Sequence, residues 1–218
     1  MISEQMTITT EDGIGLEATL DVDGLPAASL LLCHPHPKMG GTMNAPLLLA
    51  VRDALVARRW AVLRFNFRGV GGSHGRSGTG EAETKDVDAG VTLLRRRFPE
   101  QALALAGWSF GAAVAVRVAC KQQGLVACVA IAPAVSPKPG ITAGVPPSST
   151  CNITCPTLVI TGANDDQVSP EECRRWAEEI DAARYVEVAG ANHFFWAKYE
   201  TLASTVVAFL DGVIAKEG

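Results

Sequence analysis

One serine of the sequence stands where it could act as a nucleophile. Ser109 is the central residue of Gly107-Trp-Ser-Phe-Gly111, which follows the apolar run 102–106 and precedes small residues that favour a helix. A serine on so sharp a turn crowds the residues two places away, and glycine at both places relieves the crowding. The helix N-terminus would also stabilise developing negative charge. A serine that only caps a helix would not explain both glycines, so the pattern predicts a nucleophile on a strand-to-helix turn.

A nucleophilic serine needs a general base, and the base needs an acceptor that fixes its tautomer. His193 follows a predicted strand and is the one histidine of four that lies after the serine in the chain. Asp165 and Asp166 lie in the loop after the preceding predicted strand. Either aspartate could serve, but the spacing Gly-x-x-Asp-x-x-Val favours Asp165 and leaves Asp166 as a solvated neighbour. The order Ser, Asp, His thus predicts a catalytic triad of Ser109, Asp165 and His193.

Acyl transfer also needs backbone N–H groups that stabilise an oxyanion. The first should belong to Phe110, the residue after the nucleophile. The second should follow the third predicted strand, where residues 34–41 read His-Pro-His-Pro-Lys-Met-Gly-Gly. Proline has no N–H, so His36 is the only donor between the two prolines, which also stiffen its backbone. We therefore expect the second donor to be His36, with Lys38 or Met39 as alternatives.

Two further motifs have weaker functional interpretations. His34 and His36 could be metal ligands, but a metal needs further ligands that converge on it, and His74 lies in a glycine-rich loop. The segment 64–73 contains Gly-x-Gly, yet it lacks the full dinucleotide fingerprint and the Lys-Ser/Thr of a phosphate-binding loop. We expect no metal site and a tight structural turn at 64–73.

The elements that must position these residues are short apolar strands that alternate with helices. This alternation predicts the fold class α/β, with a mostly parallel sheet of about eight strands and helices on both faces. The chain begins differently, because its first two strands alternate apolar and polar residues around a turn, as in an antiparallel hairpin. The strands are expected at 7–10, 16–22, 29–33, 61–65, 102–106, 126–132, 157–161 and 185–188, and the helices at 46–58, 82–97, 110–122, 170–182 and 195–215.

Length and composition favour one domain over residues 1–218. The chain has 48% hydrophobic and 19% charged residues, which is usual for a globular protein and opposite to a disordered one. Its net charge of −4 is spread along the sequence, and the single basic run, 95–97, is too short for a nucleic-acid site. No secretion signal and no apolar stretch of membrane-spanning length is visible. We therefore expect a cytoplasmic protein that binds neither nucleic acid nor membranes.

The six cysteines, at positions 33, 120, 128, 151, 155 and 173, are expected to be reduced. Three lie in strongly apolar stretches, where a free thiol packs as a small hydrophobic group. The exception is the pair Cys151 and Cys155, which could form a local disulfide within the segment 135–156. That segment is rich in Pro, Gly, Ser and Thr and is longer than ordinary connections. It is expected to be an irregular loop or flap, too short to form a cap domain.

Together these motifs resemble those of the small lidless bacterial α/β-hydrolases related to dienelactone hydrolases and carboxylesterases. The resemblance covers nearly the whole chain and rests on residues 34–41, residues 64–73, the Gly-x-Ser-x-Gly turn, the Asp165 loop and His193-Phe-Phe. It implies an α/β-hydrolase fold without a cap domain, and ester hydrolysis at an open site without metal or organic cofactor. Dienelactone hydrolases use a cysteine nucleophile, so Ser109 argues against dienelactone chemistry.

The predicted function is cleavage of small carboxylic esters through an acyl-enzyme intermediate. Without a cap domain to enclose a long acyl chain, we expect short acyl groups, with Met39, Phe194 and the segment 135–156 shaping the pocket. A thioesterase or a peptidase of the same fold would use the same acyl-enzyme chemistry. The alternative from another class is a hydrolase fold kept as a binding protein without turnover. Such proteins typically lack a member of the triad, and all three are present here.

Overall fold

The computed structural model describes residues 1–217, in which eight strands form one sheet and five α-helices pack against it. The strands are β1 (Ile2–Thr9), β2 (Gly15–Val22), β3 (Ala28–Cys33), β4 (Trp60–Phe65), β5 (Ala102–Trp108), β6 (Ala127–Ile131), β7 (Thr157–Gly162) and β8 (Ala183–Val188). The helices are α1 (Pro46–Val56), α2 (Thr84–Arg97), α3 (Phe110–Ala119), α4 (Pro170–Glu178) and α5 (Tyr199–Glu217).

The strands lie in the order β1-β2-β4-β3-β5-β6-β7-β8. From β4 through β8 all pairs are parallel, whereas β2 pairs antiparallel with both β1 and β4. β3 lies between β4 and β5, so the chain passes to one side of β3 and then crosses to the other. The loops that follow β3 and β5 diverge at this switch point and leave a crevice, which is where open α/β sheets bind ligands.

Helices cover both faces of the sheet. Leu47 of α1 and Leu202 of α5 belong to one buried apolar cluster, and Val91 of α2, Val114 of α3 and Trp176 of α4 belong to the other. Strands β3 to β7 are buried on both faces, which explains their continuous apolar runs. Among residues 1–217 no cap domain is inserted between the strands. The predicted fold class, a mostly parallel α/β sheet with helices on both faces and no cap, is confirmed.

Several element boundaries differ from those predicted. β1 begins at Ile2 because it pairs with the whole length of β2, with Ile2 opposite Val22. The last helix begins at Tyr199 rather than 195. Phe195 and Ala197 have φ angles of 52° and 58°, which a right-handed helix cannot contain. Within residues 1–217 no helix combines the length and the apolar character that crossing a membrane would need.

The segment 64–73 forms the expected structural turn after β4. Arg68 pairs with the buried carboxylate of Asp86 at 2.7 Å. Gly71 has a φ of 53°, and a Cβ there would lie 2.5 Å from Nδ2 of Asn66. The glycine is therefore needed for a close approach within the turn.

The segment 135–156 is an irregular loop that lies over α3 and α4. Arg117 of α3 donates to two backbone carbonyls of the loop at 2.6 and 2.8 Å. Trp176 of α4 donates from Nε1 to a third carbonyl, that of Pro146, at 2.9 Å. Side chains of two helices thus hold the loop by its backbone.

The prediction of reduced thiols is wrong for one pair of cysteines. Cys120, which follows α3, and Cys151 form a disulfide across 31 residues of sequence. The alternative pairing of Cys151 with Cys155 is also wrong, because Cys155 is a buried free thiol. The loop 135–156 folds back over α3 and brings Cys151 to the end of that helix. The spacing of cysteines in the sequence does not reveal that a loop folds back onto a helix that precedes it in the chain.

Candidate active site

Ser109 lies at the crevice, where β5 ends and α3 begins. Its φ and ψ angles are 56° and −115°, a combination that residues with a side chain rarely adopt. Its N–H donates to the carbonyl of Ile131 at 2.8 Å, and its carbonyl accepts from the N–H of Ala113 at 3.1 Å. Strand β6 and helix α3 therefore hold this strained residue from two sides.

The two glycines beside Ser109 are sterically required. A Cβ at position 107 would lie 2.4 Å from the carbonyl oxygen of Gly111, and a Cβ at position 111 would lie 2.3 Å from the carbonyl oxygen of His34. Both distances are far below van der Waals contact, so the backbone would have to move to admit any larger residue. The second distance also shows that the turn with Ser109 lies directly against the loop 34–41, which follows β3.

His193 contacts both of the other predicted triad residues. His193 Nε2 lies 3.1 Å from Ser109 Oγ, and His193 Nδ1 lies 2.8 Å from Asp165 Oδ2. The carboxylate of Asp165 is fully buried, and the ring of His193 is nearly so. These partners fit the tautomer in which Nδ1–H donates to Asp165 while Nε2 accepts from Ser109. Such an arrangement can take the proton of a serine hydroxyl as the oxygen attacks a carbonyl.

Asp165, and not Asp166, is the aspartate that contacts the histidine. Asp165 Oδ1 accepts from the backbone N–H groups of Gln167 and Val168, both at 2.9 Å. These two bonds fix the carboxylate so that Oδ2 faces His193. Asp166 is exposed and accepts instead from the side chain of Gln167.

The backbone N–H groups of His36 and Phe110 have no hydrogen-bond partner within residues 1–217. Both residues line the cavity that contains Ser109. Phe110 is the first residue of α3, where helix N–H groups lack an intrahelical acceptor. The alternatives are already engaged, because the N–H groups of Lys38 and Met39 donate to the Nδ1 and the carbonyl of His36, each at 3.1 Å.

The ring of His36 connects the loop 34–41 to the loop 135–156. Nδ1 accepts from Lys38, so Nε2 carries the proton and donates to the carbonyl of Ile141 at 3.0 Å. The ring also packs against Phe110 with 5.0 Å between centroids. Nothing in the sequence pattern predicts this connection, because it depends on where the loop 135–156 returns.

His34 supports the same loop from inside the protein. Its Nδ1–H donates to the carbonyl of Pro35 at 2.7 Å, and its Nε2 accepts from the N–H of Phe67 at 2.9 Å. Burial lowers the pKa of His34 to about 4, so the ring is neutral at pH 7. Both ring nitrogens are occupied. Within residues 1–217 no group of three or more His, Cys, Asp or Glu side chains is arranged to hold a metal ion.

Ser109 and His193 open into a cavity of about 620 Å³. Four large apolar side chains that line this cavity are exposed to solvent, and we call them the apolar rim: Met39 (71% exposed), Ile141 (45%), Phe194 (37%) and Trp196 (63%). Met39 and Phe194 are therefore at the cavity, as the sequence predicted. Ile141 belongs to the segment 135–156, which was expected to help shape the pocket. Trp196 was missed, although the aromatic run 194–196 directly after the histidine is a signal that could have indicated it.

Part of the chain matches a known family. Residues 26–151 match the model of the family described as serine aminopeptidase S33. The match includes the loop 34–41 and Ser109 and ends before Asp165 and His193. An uncharacterized protein of Rickettsia prowazekii is 31% identical in an alignment of 189 residues, with coverage of 83% of this chain and 77% of that protein.

Two solved structures resemble the chain over nearly its whole length. An α/β serine hydrolase without a lid from Xanthomonas campestris is 27% identical, with a TM-score of 0.83 and coverage of 96% of this chain and 94% of that chain. An α/β serine hydrolase homologue from Coxiella burnetii is 30% identical, with a TM-score of 0.84 and coverage of 95% and 97%. The likeness thus extends well beyond the residues that the family model matches.

Proposed function

Because the chain belongs to the α/β-hydrolase family described as serine aminopeptidase S33, we propose that it is a serine hydrolase and that its substrates are small carboxylic esters. The observation that carries this proposal is the continuous line of hydrogen bonds from Asp165 through His193 to Ser109 at an open cavity. The strained backbone of Ser109 supports it further, since strain of this kind is typical of functional residues.

The first half of the proposed reaction forms an acyl-enzyme. Ser109 Oγ bonds to the ester carbonyl carbon while its proton passes to His193 Nε2. The N–H groups of His36 and Phe110 stabilise the oxyanion that forms, and Asp165 stabilises the protonated imidazole. The bond to the leaving oxygen then breaks, and His193 gives its proton to the departing alcohol.

The second half releases the acid. A water molecule gives a proton to His193 as its oxygen attacks the acyl carbon, and the same two N–H groups hold the second oxyanion. The bond from Ser109 Oγ to the acyl group breaks, the proton returns to Ser109, and a carboxylic acid leaves. The open cavity and the lack of a cap within residues 1–217 favour short acyl groups.

The cavity favours esters over the peptides that an aminopeptidase cleaves. An aminopeptidase must hold the ammonium group of its substrate, and a cation in a partly dry cavity needs acidic partners. Among residues 1–217, Glu172 is the single carboxylate on the cavity lining. A thioesterase would use the same steps with a thiol as the leaving group.

The first experiment combines a fluorophosphonate probe with p-nitrophenyl esters from acetate to palmitate, and uses Ser109→Ala as the control. We expect labelling of Ser109 and fastest hydrolysis of the shortest esters, both lost in the variant. Faster cleavage of an aminoacyl p-nitroanilide than of p-nitrophenyl acetate would support the peptidase instead. A folded protein that neither reacts with the probe nor turns over any ester would support the binding-protein alternative.

A further inference from the structure

We propose that Phe194 and Trp196 form the binding surface for the leaving group, and that this group is an aromatic or otherwise planar, apolar alcohol. The inference rests on the proposed ester hydrolysis and specifies its substrate class. We call the two rings together the aromatic surface.

The position of the aromatic surface assigns it to the leaving group. In the proposed reaction, His193 Nε2 must come within hydrogen-bond distance of the leaving oxygen to protonate it. The ring of Phe194 packs edge to face against the ring of His193, with 5.5 Å between centroids and an interplanar angle of 88°. Phe194 also packs edge to face against Trp108, at 6.0 Å. The aromatic surface therefore begins at the group that donates the proton, and an alcohol that leaves from His193 passes over it.

The shape of the aromatic surface indicates a planar ligand. The rings of Phe194 and Trp196 are stacked, with 5.1 Å between centroids and only 16° between their planes. Trp196 is more than half exposed. An indole of this exposure at a cavity can gain a further apolar or aromatic partner by stacking, which a flexible alkyl group matches less well. A benzyl-type or phenolic group would extend the existing stack.

The backbone holds Trp196 in place. The side-chain oxygen of Asn192 accepts from the N–H of Phe194 at 3.1 Å and from the N–H of Trp196 at 3.4 Å. On either side of Trp196, Phe195 and Ala197 have positive φ angles, which non-glycine residues disfavour. Phe195 is fully buried in the core and anchors the turn. The fold thus keeps the indole exposed at the cavity against a conformational cost, and such strain is typical of ligand sites.

The test uses two pairs of esters that vary one side of the ester bond at a time. Ethyl and benzyl acetate share the acyl group, whereas methyl propanoate and methyl phenylacetate share the alcohol. We expect Trp196→Ala to lower the ratio of kcat/KM for benzyl over ethyl acetate by about threefold to tenfold. Trp196→Phe, which retains a ring, should restore most of the ratio. The control is Leu25→Ala, which removes an apolar side chain that is also more than half exposed but lies outside the cavity, and it should leave both ratios unchanged.

Three results would overturn the assignment. An unchanged benzyl-to-ethyl ratio in Trp196→Ala would mean that the indole does not bind the leaving group. An effect confined to the methyl phenylacetate ratio would place the aromatic surface on the acyl side. A readout without turnover separates this inference from the proposed function: in Ser109→Ala, benzyl alcohol but not ethanol should shift the NMR signal of the Trp196 indole N–H, identified by its loss in Trp196→Phe. No shift there contradicts the aromatic surface whether or not the wild type cleaves esters.

Discussion

The floor and the rim of the cavity differ in which groups are buried and which are exposed: polar groups are buried in the floor, and apolar side chains are exposed in the rim. The floor consists of Ser109, Asp165 and His193, whose polar atoms are buried or half-buried and held by hydrogen bonds. The apolar rim has large hydrophobic side chains in contact with solvent, of which Trp196 is 63% exposed. Folded chains usually show the opposite distribution. The comparison suggests a division of labour, in which the floor acts on the carbonyl that all esters share and the rim distinguishes the groups attached to it.

The two regions are also fixed by different means. In the floor the backbone segments approach so closely that there is no space for a larger side chain. A Cβ at Gly111, for example, would lie 2.3 Å from the carbonyl oxygen of His34. The rim depends on loops that are held by hydrogen bonds, such as that from His36 to the carbonyl of Ile141, and that leave the side chains of the rim exposed. We therefore expect the rim to tolerate substitution far better than the floor.

The largest expected effect is the removal of the nucleophile or the base. Ser109→Ala and His193→Ala should each lower kcat by about six orders of magnitude, and the double variant little more, because the triad acts as a unit. The loss should be the same for every ester that the wild type cleaves, because the rim is intact. The measurement is kcat on the p-nitrophenyl series, with circular dichroism to verify folding. Additive losses, or losses that depend on the acyl group, would contradict the proposed division of roles between the floor and the rim.

The next effect tests which aspartate orients the base. Asp165→Asn should lower kcat by about four orders of magnitude, since an amide at this place holds the imidazole in the wrong tautomer. Asp166→Asn is the matched control from the adjacent position, and its kcat should equal that of the wild type. A damaging Asp166→Asn with a harmless Asp165→Asn would show that the acid is assigned to the wrong residue.

A smaller effect concerns stability, through the histidine that supports the floor. The pKa of His34 is about 4 in the folded chain and 6.5 without the fold. Between these pH values the unfolded chain therefore binds more protons than the folded chain. The contribution of neutral His34 to the free energy of unfolding is thus complete above about pH 6.5 and is lost as the pH falls toward 4. At pH 4.5 the loss in the free energy of unfolding should be about 2 to 3 kcal/mol.

Urea unfolding of the wild type and of His34→Gln at pH 7 and pH 4.5 measures this loss. Glutamine can still accept from the N–H of Phe67 but does not titrate in this range. The wild type should lose more stability than the variant between the two pH values. Equal losses would mean that burial does not disfavour the charged ring.

The smallest expected effect lies in the rim. Met39→Ala should lower the ratio of kcat/KM for p-nitrophenyl butyrate over acetate by about threefold, because apolar contact with the longer acyl chain is lost. The absolute rate on acetate serves as the internal reference. A collapse of activity on both esters would place Met39 in the floor, and an unchanged ratio would remove it from the acyl pocket.

Much of the floor was predictable because each signal has a local cause. The two glycines around Ser109 follow from a steric limit within five residues, and the position of His193 follows from chain order. The choice between Asp165 and Asp166 was made from spacing alone, since the two adjacent aspartates differ only in the direction in which their side chains point. That direction is set by two backbone N–H groups of the same loop.

The parts that sequence could not predict depend on distant contacts. The helix expected from 195 instead starts at Tyr199, because Phe195, which is buried in the core, and Ala197 have positive φ angles that the apolar periodicity does not reveal. The exposure of Trp196 follows from the same turn. The pairing of Cys120 with Cys151 depends on how a loop without periodicity returns to α3.

That disulfide closes a covalent ring that consists of residues 120–151. The bond between Cys120 and Cys151 encloses most of the loop that carries Ile141. If a protease cuts the chain once between residues 121 and 150, the fragment with Ser109 and the fragment with Asp165 and His193 remain joined. The nicked protein would migrate as one band without reductant and as two with it. A rim loop can therefore be opened at its tip without separating the nucleophile from its base.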